Sequence, residues 1–253
     1  MDNYLLLQKH QLFIQKFFAS DVSIAKKIFL FYSTGSGKTL AAILASEYYV
    51  NYINKKNNPI GKIIIICNKA TKSNFIWSIV GEGGNVANYL QYDAENPYIT
   101  REELKKLDEL RLNEHTEEGK KKFRKIKKEY VLTRLHDAGY EFHTYNAFAR
   151  DTIFEKIPNF NNSLVIVDEA HTLIHDNLYY KAFNQISEKS KNYKLILLTA
   201  TPAINSPENF VSFINLLNDD KLHRTDLFEG AGNTETNVLK KGFENVIIDK
   251  LRG

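Results

Sequence analysis

The chain has 253 residues, of which 43% are hydrophobic, enough to fill the core of one large domain or two small ones. Charged residues make up 25%, and no apolar run approaches the roughly 20 residues that span a bilayer, which excludes transmembrane and intrinsically disordered proteins. The net charge of +4 permits a polyanionic partner, and the single cysteine, which cannot form an internal disulfide, favours a cytoplasmic protein.

Five short segments predict β-strands. Three of them are almost continuously apolar, which is typical of strands buried on both faces of a parallel sheet. Each is followed by a helical pattern, so we predict an α/β fold with a doubly wound parallel sheet. In such folds, ligands bind beyond the carboxyl ends of the strands. The predicted strands are Lys27–Tyr32, Lys62–Cys67, Tyr140–Tyr145, Ser163–Val167 and Tyr193–Leu198.

A glycine-rich turn follows the first predicted strand and precedes a helical pattern. In such a turn the backbone N–H groups converge on phosphate oxygens, Lys38 reaches the outer phosphates, and the Thr39 hydroxyl binds Mg²⁺. Tyr32 replaces the usual leading glycine, and a glycine-rich turn with an incidental lysine is the alternative interpretation. The candidate phosphate-binding residues are Thr34, Gly35, Ser36, Gly37, Lys38 and Thr39.

A charged stretch interrupts the alternation between about Gly81 and Gly139. Apolar residues with helical spacing flank the polar segment Asn113–Gly119, which predicts a charged helical hairpin inserted into the core. Its basic run Lys120–Lys128 is either a solvated helix face or a contact with phosphates, and the acidic residues around it favour the solvated face. The apolar residues are Leu104, Leu107 and Leu110, then Phe123, Ile126 and Tyr130.

Polar turns also follow the last two predicted strands. Asp168 lies just past the fourth predicted strand, where a carboxylate can hold Mg²⁺ through water. The neighbouring Glu169 can polarise an attacking water. Thr199 and Thr201 can form hydrogen bonds toward this acidic turn. Alone, either segment is also compatible with an ordinary helix start. The phosphate-binding turn about 130 residues upstream makes the acidic turn far more specific.

Together these motifs resemble the first RecA-like domain of superfamily-two helicases and translocases of the DEAH-box kind. Gly35–Thr39 match motif I, Asp168–His171 match motif II, and Thr199–Thr201 match motif III, in the family's order. The resemblance implies ATP and Mg²⁺ as cofactors. It also implies catalytic roles for Lys38, Asp168 and Glu169, Mg²⁺ binding by Thr39 and Asp168, and coupling roles for His171, Thr199 and Thr201.

The resemblance implies contacts with adenine and with nucleic acid as well. Gln11 lies in a segment similar to the family's adenine-reading segment, or it is an ordinary polar residue of an amphipathic helix. The candidate nucleic-acid contacts are Asn68, Lys69 and Lys72, at the position of motif Ia, and Thr144 and Tyr145, near motif Ib. Both segments are also compatible with plain loops, but backbone amides and hydroxyls at helix starts suit phosphates. We expect DNA rather than RNA.

Residues 201–217 are similar to the chromatin-remodeller-like branch of the superfamily. Within that branch, the chain resembles the nucleoside triphosphatases and early-transcription helicases of large nucleocytoplasmic DNA viruses. The abundance of Lys, Asn and Ile, whose codons are AT-rich, agrees with such a genome. This likeness implies a viral protein of the host cytoplasm and the virion, working with a transcription complex and not at a membrane.

The sequence departs from the family after residue 217. No arginine-rich motif follows, so nothing matches the second RecA-like domain, which supplies the arginine finger in such motors. We expect residues 1–217 to form the ATP-binding domain, with an insert at about 81–139, and residues 218–253 to lead toward a second RecA-like domain of the same protein.

Two functions fit these motifs. The first is the ATP-binding half of a nucleic-acid-dependent ATPase, a helicase or translocase that is weakly active as this chain alone. The alternative is a non-catalytic, nucleotide-binding regulatory or structural subunit of a transcription complex.

Overall fold

The structure is a computed structural model. Predictions that concern Tyr32, Thr34, the leucines of the first hairpin arm, residues 202–208 and residues 246–253 fall outside the residues that it describes. The described residues are 8–14, 26–31, 33, 35–55, 61–79, 98, 102–103, 105–106, 109, 116–157, 159–173, 177–201, 209–218, 222–229, 238–242 and 245.

A five-stranded sheet forms the centre of the fold. Its strand order is β1-β5-β4-β2-β3, and all neighbouring strands are parallel. All five predicted strands are confirmed, with ends that differ by one residue at most. The strands are β1 (Lys27–Phe31), β2 (Ile63–Cys67), β3 (Tyr140–Thr144), β4 (Leu164–Asp168) and β5 (Lys194–Thr199).

Helices cover both faces of this sheet. Ile63 and Ile65 of β2 pack in a core with α2, α3 and α4, whereas Ile64 and Ile66 pack with α5, α6 and α7 on the opposite face. This alternation confirms the doubly wound α/β fold. The helices are α1 (Lys9–Phe13), α2 (Lys38–Lys55), α3 (Lys69–Ile79), α4 (Glu117–Asp137), α5 (Tyr145–Ile153), α6 (Leu178–Glu188), α7 (Asn209–Leu217) and α8 (Arg224–Leu227).

A short antiparallel pair, β6 (Phe228–Glu229) and β7 (Val238–Leu239), follows α8. None of the helices in the described part of the chain is both long enough and apolar enough to cross a membrane.

Helix α4 forms the second arm of the predicted insert. It begins at Glu117, because the Thr116 side chain caps it by accepting a hydrogen bond from the Gly119 N–H at 3.1 Å. Of the apolar residues with helical spacing in this arm, Phe123 is buried, whereas Ile126 is 47% exposed. Lys127 takes the inward position instead, and its ammonium lies 5.9 Å from the centre of the Trp77 ring.

A buried carboxylate joins α2 to β3 and to the insert. Glu47 is 1% exposed and accepts hydrogen bonds from the hydroxyls of Tyr98, at 2.8 and 2.9 Å, and Tyr140. Burial first, and then the charge of Glu47, raise the pKa of both hydroxyls, so both remain protonated donors. These hydrogen bonds hold Tyr98 of the predicted insert against α2, the helix that follows the glycine-rich turn.

Candidate active site

The strand order brings the predicted site segments to one edge of the sheet. Because all five strands are parallel, their carboxyl ends meet at the same edge. Across this edge lie Gly35–Thr39 after β1, Thr199–Thr201 at the end of β5, Asp168–His171 at the end of β4, Asn68 and Lys69 after β2, and Thr144 and Tyr145 at the end of β3. The glycine-rich loop and the acidic turn are therefore separated only by β5.

The glycine-rich loop curls around its own backbone before α2 begins. Both the N–H and the hydroxyl of Ser36 donate to the Ser33 carbonyl oxygen, at 3.3 and 2.7 Å, and the Lys38 Nζ lies 3.4 Å from the same oxygen. Gly35 and Gly37 have φ angles of +81° and +83°, which side chains with a Cβ rarely adopt. Lys38 and Thr39 consequently open α2 at its positive end.

Gln11 lies against this loop. Its side chain is 5% exposed, and its Oε1 accepts a hydrogen bond from the Gln8 N–H at 3.0 Å. Its Nε2 lies 2.6 Å from the position that a Cβ on Gly37 would occupy. Gln11 is therefore placed beside the candidate nucleotide site and not on a solvated helix face. Its role toward adenine stays a prediction.

Asp168 is the last residue of β4 and is 4% exposed. Burial raises its carboxyl pKa to about 6, and the neighbouring charge of Glu169 raises it as well. A hydrogen bond from the Thr71 hydroxyl, the Glu169 backbone N–H and the charge of Lys38 act in the opposite direction. The influence of Lys38 shows that the loop and the acidic turn lie within electrostatic reach of each other.

The acidic turn is joined to the end of β5 by a hydrogen-bond network. The His171 Nδ1 lies 3.1 Å from Glu169 Oε2 and 3.0 Å from Thr199 Oγ1. Thr199 donates its own hydroxyl proton to the Thr201 carbonyl at 3.3 Å, so we assign His171 Nδ1 as a donor. The Thr201 hydroxyl lies 3.4 Å from the same nitrogen. One imidazole thus contacts all three of these side chains.

The predicted nucleic-acid contacts divide into two groups. Asn68 and Lys69 are exposed at the start of α3, and the Thr144 side chain caps α5 by accepting from the Ala147 N–H at 3.3 Å. Lys72 instead donates to the Phe142 carbonyl at 3.0 Å, on the outer strand of the sheet. Its side chain therefore contacts the protein's own backbone.

Tyr145 belongs to the second group as well. Its side chain is 4% exposed, and its hydroxyl lies 2.7 and 3.1 Å from the carbonyl oxygens of Asp168 and Glu169. The ring therefore supports the acidic turn from inside the core. Its hydroxyl is committed to the backbone that carries both acidic side chains.

Thr71 is a site residue that the sequence reasoning missed. Its hydroxyl donates to the Asn68 carbonyl at 3.2 Å, and the hydrogen-bonding influence of the same side chain lowers the pKa of the Asp168 carboxyl. A threonine in the first turn of α3 suggests only a local contact. Its reach to Asp168 depends on β2 and β4 being neighbours in the sheet, which no local pattern reveals.

The donor set fits a magnesium nucleotide. A Cβ on Gly35 would meet nothing within 4 Å, so this part of the loop is open to a ligand. Asp168 supplies a carboxylate whose charge is disfavoured by burial and would be stabilised by a cation. No cluster of three or more His, Cys, Asp or Glu that could hold a metal occurs among the described residues. Magnesium would thus depend on phosphate oxygens as well as on protein.

A parallel α/β sheet with a glycine-rich loop and an Asp-Glu-Ala-His turn on one edge defines a RecA-like, helicase-type domain. The chain belongs to the SNF2-related domain family, whose model matches residues 10–250.

Several viral proteins are similar to this chain. R563 of Acanthamoeba polyphaga mimivirus, provisionally named as an ATP-dependent RNA helicase, is 27% identical over 194 residues, which cover 76% of this chain and 29% of R563. Protein 087L of Invertebrate iridescent virus 3, provisionally named as a helicase, is 29% identical over 237 residues, which cover 87% of this chain and 21% of 087L.

The early transcription factor 70 kDa subunit of Rabbit fibroma virus (strain Kasza) is 23% identical over 232 residues, which cover 90% of this chain and 28% of that subunit. The matched regions thus amount to less than a third of each of these three relatives.

The contact between Gln11 and Gly37 predicts a difference between two glycine substitutions. Gly35→Ala and Gly37→Ala both place a Cβ on a left-handed backbone, which costs about 1–2 kcal/mol. Only Gly37→Ala also places a Cβ against the buried Gln11 amide. The free energy of unfolding should therefore fall further in the Gly37→Ala variant than in the Gly35→Ala variant. Denaturant titration measures both losses. The extra loss should disappear in a Gln11→Ala background, and its persistence there would contradict the contact.

The raised pKa of Asp168 predicts a pH-dependent stability change in the chain without nucleotide or Mg²⁺. Because the folded pKa of about 6 exceeds the ordinary 3.8, ionisation of Asp168 destabilises the fold above about pH 6, and the penalty is absent below about pH 4. Asp168→Asn should therefore raise the free energy of unfolding by about 1–3 kcal/mol at neutral pH. The gain should shrink as the pH falls toward 4.

Denaturant titrations at several pH values test this expectation, with the exposed Asp137→Asn as the matched control. A gain from Asp168→Asn that does not depend on pH, or one that Asp137→Asn reproduces, would show that burial of the Asp168 charge is not its cause.

Proposed function

We propose that this chain is the ATP-binding half of an ATP-dependent nucleic-acid helicase or translocase with a role in viral transcription. The observation that carries the proposal is the pairing, across one sheet edge, of the Gly35–Thr39 loop with the Asp168–Glu169 turn. The electrostatic influence of Lys38 on Asp168 supports it. Membership of the SNF2-related family supports it independently. A cytoplasmic site of action, expected from the sequence, is part of the proposal.

Each site residue has a proposed task. Bound Mg·ATP supplies the phosphoanhydride bond that is hydrolysed. The backbone amides of the loop and Lys38 hold the phosphates, while Thr39 and Asp168 hold the magnesium. Glu169 orients a water molecule and accepts its proton at the carboxylate. The His171 N–H, 3.1 Å from Glu169 Oε2, keeps that carboxylate in place.

Two contacts would connect the nucleotide to nucleic acid. The Thr71 hydroxyl donates to the Asn68 carbonyl, and the same side chain lowers the pKa of the Asp168 carboxyl, which supports a link between the start of α3 and the proposed magnesium-binding residue. Thr199 and His171 join the acidic turn to the end of β5. We propose that these contacts report the state of the phosphates to the exposed residues Asn68 and Lys69 and to the partly buried Thr144, which contact the backbone of DNA.

A second candidate function is that of a nucleotide-binding subunit that does not hydrolyse ATP. The names of the relatives called early transcription factor 70 kDa subunit favour it, because they describe part of a larger factor. Turnover distinguishes the two candidates.

Lys38→Ala should weaken binding of Mg·ADP and Mg·ATP. The lost contact is a charged hydrogen bond to phosphate, worth about 1.5–3 kcal/mol, or about one to two decades in affinity. Isothermal calorimetry compares this variant with the unsubstituted chain. Lys69→Ala, which removes the same charge from the same edge but outside the loop, is the control and should bind nucleotide normally. Equal affinities of the Lys38→Ala variant and the unsubstituted chain would refute the phosphate site.

Residues 1–253 alone should hydrolyse ATP slowly even with nucleic acid present, because a missing arginine finger removes about 10³–10⁵ in rate. In a protein that also contains a second RecA-like domain, hydrolysis should be fast, and Glu169→Gln should bind ATP without turning it over. Steady-state phosphate release measures both. If the longer protein binds ATP and Glu169→Gln changes nothing, the non-hydrolysing subunit is the better assignment.

A further inference from the structure

The amino-terminal half of α4 carries a dense positive charge on its surface. We define the basic stripe as Lys121, Lys122 and Arg124, which are exposed and have no acidic partner among the described residues. The cations on either side of the stripe are partly neutralised by carboxylates. Lys120 Nζ lies 2.8 Å from Glu117 Oε1, and Lys125 Nζ lies 3.9 Å from Glu129 Oε1. The surplus charge of this half of α4 is therefore concentrated in the basic stripe.

This placement of charge disfavours the helix itself. Lys121 is followed by Arg124 and Lys125 at the three- and four-residue spacings at which helical side chains meet, and each such like-charge pair costs a few tenths of a kcal/mol. Solubility alone does not require this arrangement, since Glu at one of these positions would serve it equally.

The basic stripe is nevertheless held in a fixed position. Phe123 and Val131 lie in the core, and Lys127 is inserted beside Trp77. Lys128 Nζ donates to the Ser73 hydroxyl of α3 at 2.9 Å. These contacts set the rotation of α4 about its axis, and with it the outward direction of the three stripe residues.

The direction of α4 places the basic stripe toward the carboxyl edge of the sheet. The helix ends at Asp137, beside the amino end of β3, and therefore runs from the carboxyl edge toward the amino edge. Its 21 residues span about 31 Å, whereas a five-residue strand spans about 17 Å. The contact between Lys128 of α4 and Ser73 of α3 gives a common level for the two helices. Lys121 lies seven residues before Lys128, about 10 Å along α4 toward the carboxyl edge. Lys69 lies four residues before Ser73, about 6 Å along α3 in the same direction. The stripe thus reaches at least to the level of Lys69.

The edge loops themselves offer little positive charge to a phosphate backbone. Of the two lysines predicted there, Lys72 is engaged with the Phe142 carbonyl, and burial lowers its pKa, so Lys69 remains the exposed cation. One lysine neutralises one phosphate, which supports only weak binding. The three cations of the stripe raise the number of exposed positive charges from one to four.

We propose that the basic stripe of α4 is a second nucleic-acid contact, which binds the phosphate backbone next to Asn68 and Lys69. The proposal rests on the proposed function, because it assumes a nucleic-acid substrate, and it adds the surface that supplies most of the charge. The sequence alone favours a solvated face for this run. The contacts of Lys72 and the fixed outward direction of the stripe favour the opposite interpretation.

The test is the binding of short labelled oligonucleotides to the full chain between about 50 and 200 mM salt, with single-stranded DNA, duplex DNA and RNA as separate arms. The variant is Lys121→Gln with Lys122→Gln and Arg124→Gln. The matched control is Lys156→Gln with Lys189→Gln and Lys191→Gln, which removes the same charge from three exposed lysines remote from the basic stripe. Mg·ADP affinity of both triple variants verifies that the ATP site is unchanged.

The stripe variant should lose about 10- to 100-fold in affinity near 0.1 M salt. The slope of its log affinity against log salt concentration should be shallower by about two to three. The affinity of the control variant should differ from that of the unsubstituted chain by no more than about twofold.

If both triple variants bind alike while Lys69→Gln binds more weakly, the stripe proposal is overturned and the proposed function stands. If the unsubstituted chain binds none of the oligonucleotides, both fail. An intact oligonucleotide affinity together with lost binding to an acidic protein would assign the stripe to a protein partner and overturn the proposal.

Discussion

The buried carboxylate of Asp168 is the group on which the arrangement of the site depends. It ends a strand whose other four residues are apolar and fully buried, so its charge is taken out of water where β4 leaves the core. Lys38, Thr71 and the Glu169 N–H all act to lower its pKa. Groups from the loop after β1, from α3 and from the acidic turn therefore converge on one carboxylate. A divalent cation would complete this arrangement.

The same edge explains how one domain could hold both the nucleotide site and the nucleic-acid site that we propose. Parallel strands buried on both faces expose their polar groups mainly at their ends, so the loop, the acidic turn and the start of α3 are neighbours by topology. Two hydrogen bonds then hold the acidic turn in place. The Tyr145 hydroxyl binds the Asp168 carbonyl from the core, and His171 binds Thr199 at the end of β5. A shift of the Glu169 backbone would disturb both contacts together.

The sequence predicts the sheet and the motif positions because each strand is a short apolar run that is recognisable without its neighbours. It does not predict what Lys72 and Tyr145 contact, since these contacts depend on which strands and helices pack together. Tyr145 reaches the Asp168 carbonyl because α5 lies on the face beneath β4. Ile126 is a different case. Helical spacing gives the period of α4 but not its rotation, which Lys127 beside Trp77 helps to set.

We propose that the loop after β1 and the turn at the end of β4 form the two halves of one Mg·nucleotide site. A crystal structure of this chain with Mg²⁺ and a non-hydrolysable ATP analogue tests it most directly. We expect phosphates on the Gly35–Thr39 backbone, the metal between Thr39 and Asp168, and the adenine beside Gln11. Nucleotide bound elsewhere, or a metal site without Asp168, would contradict it.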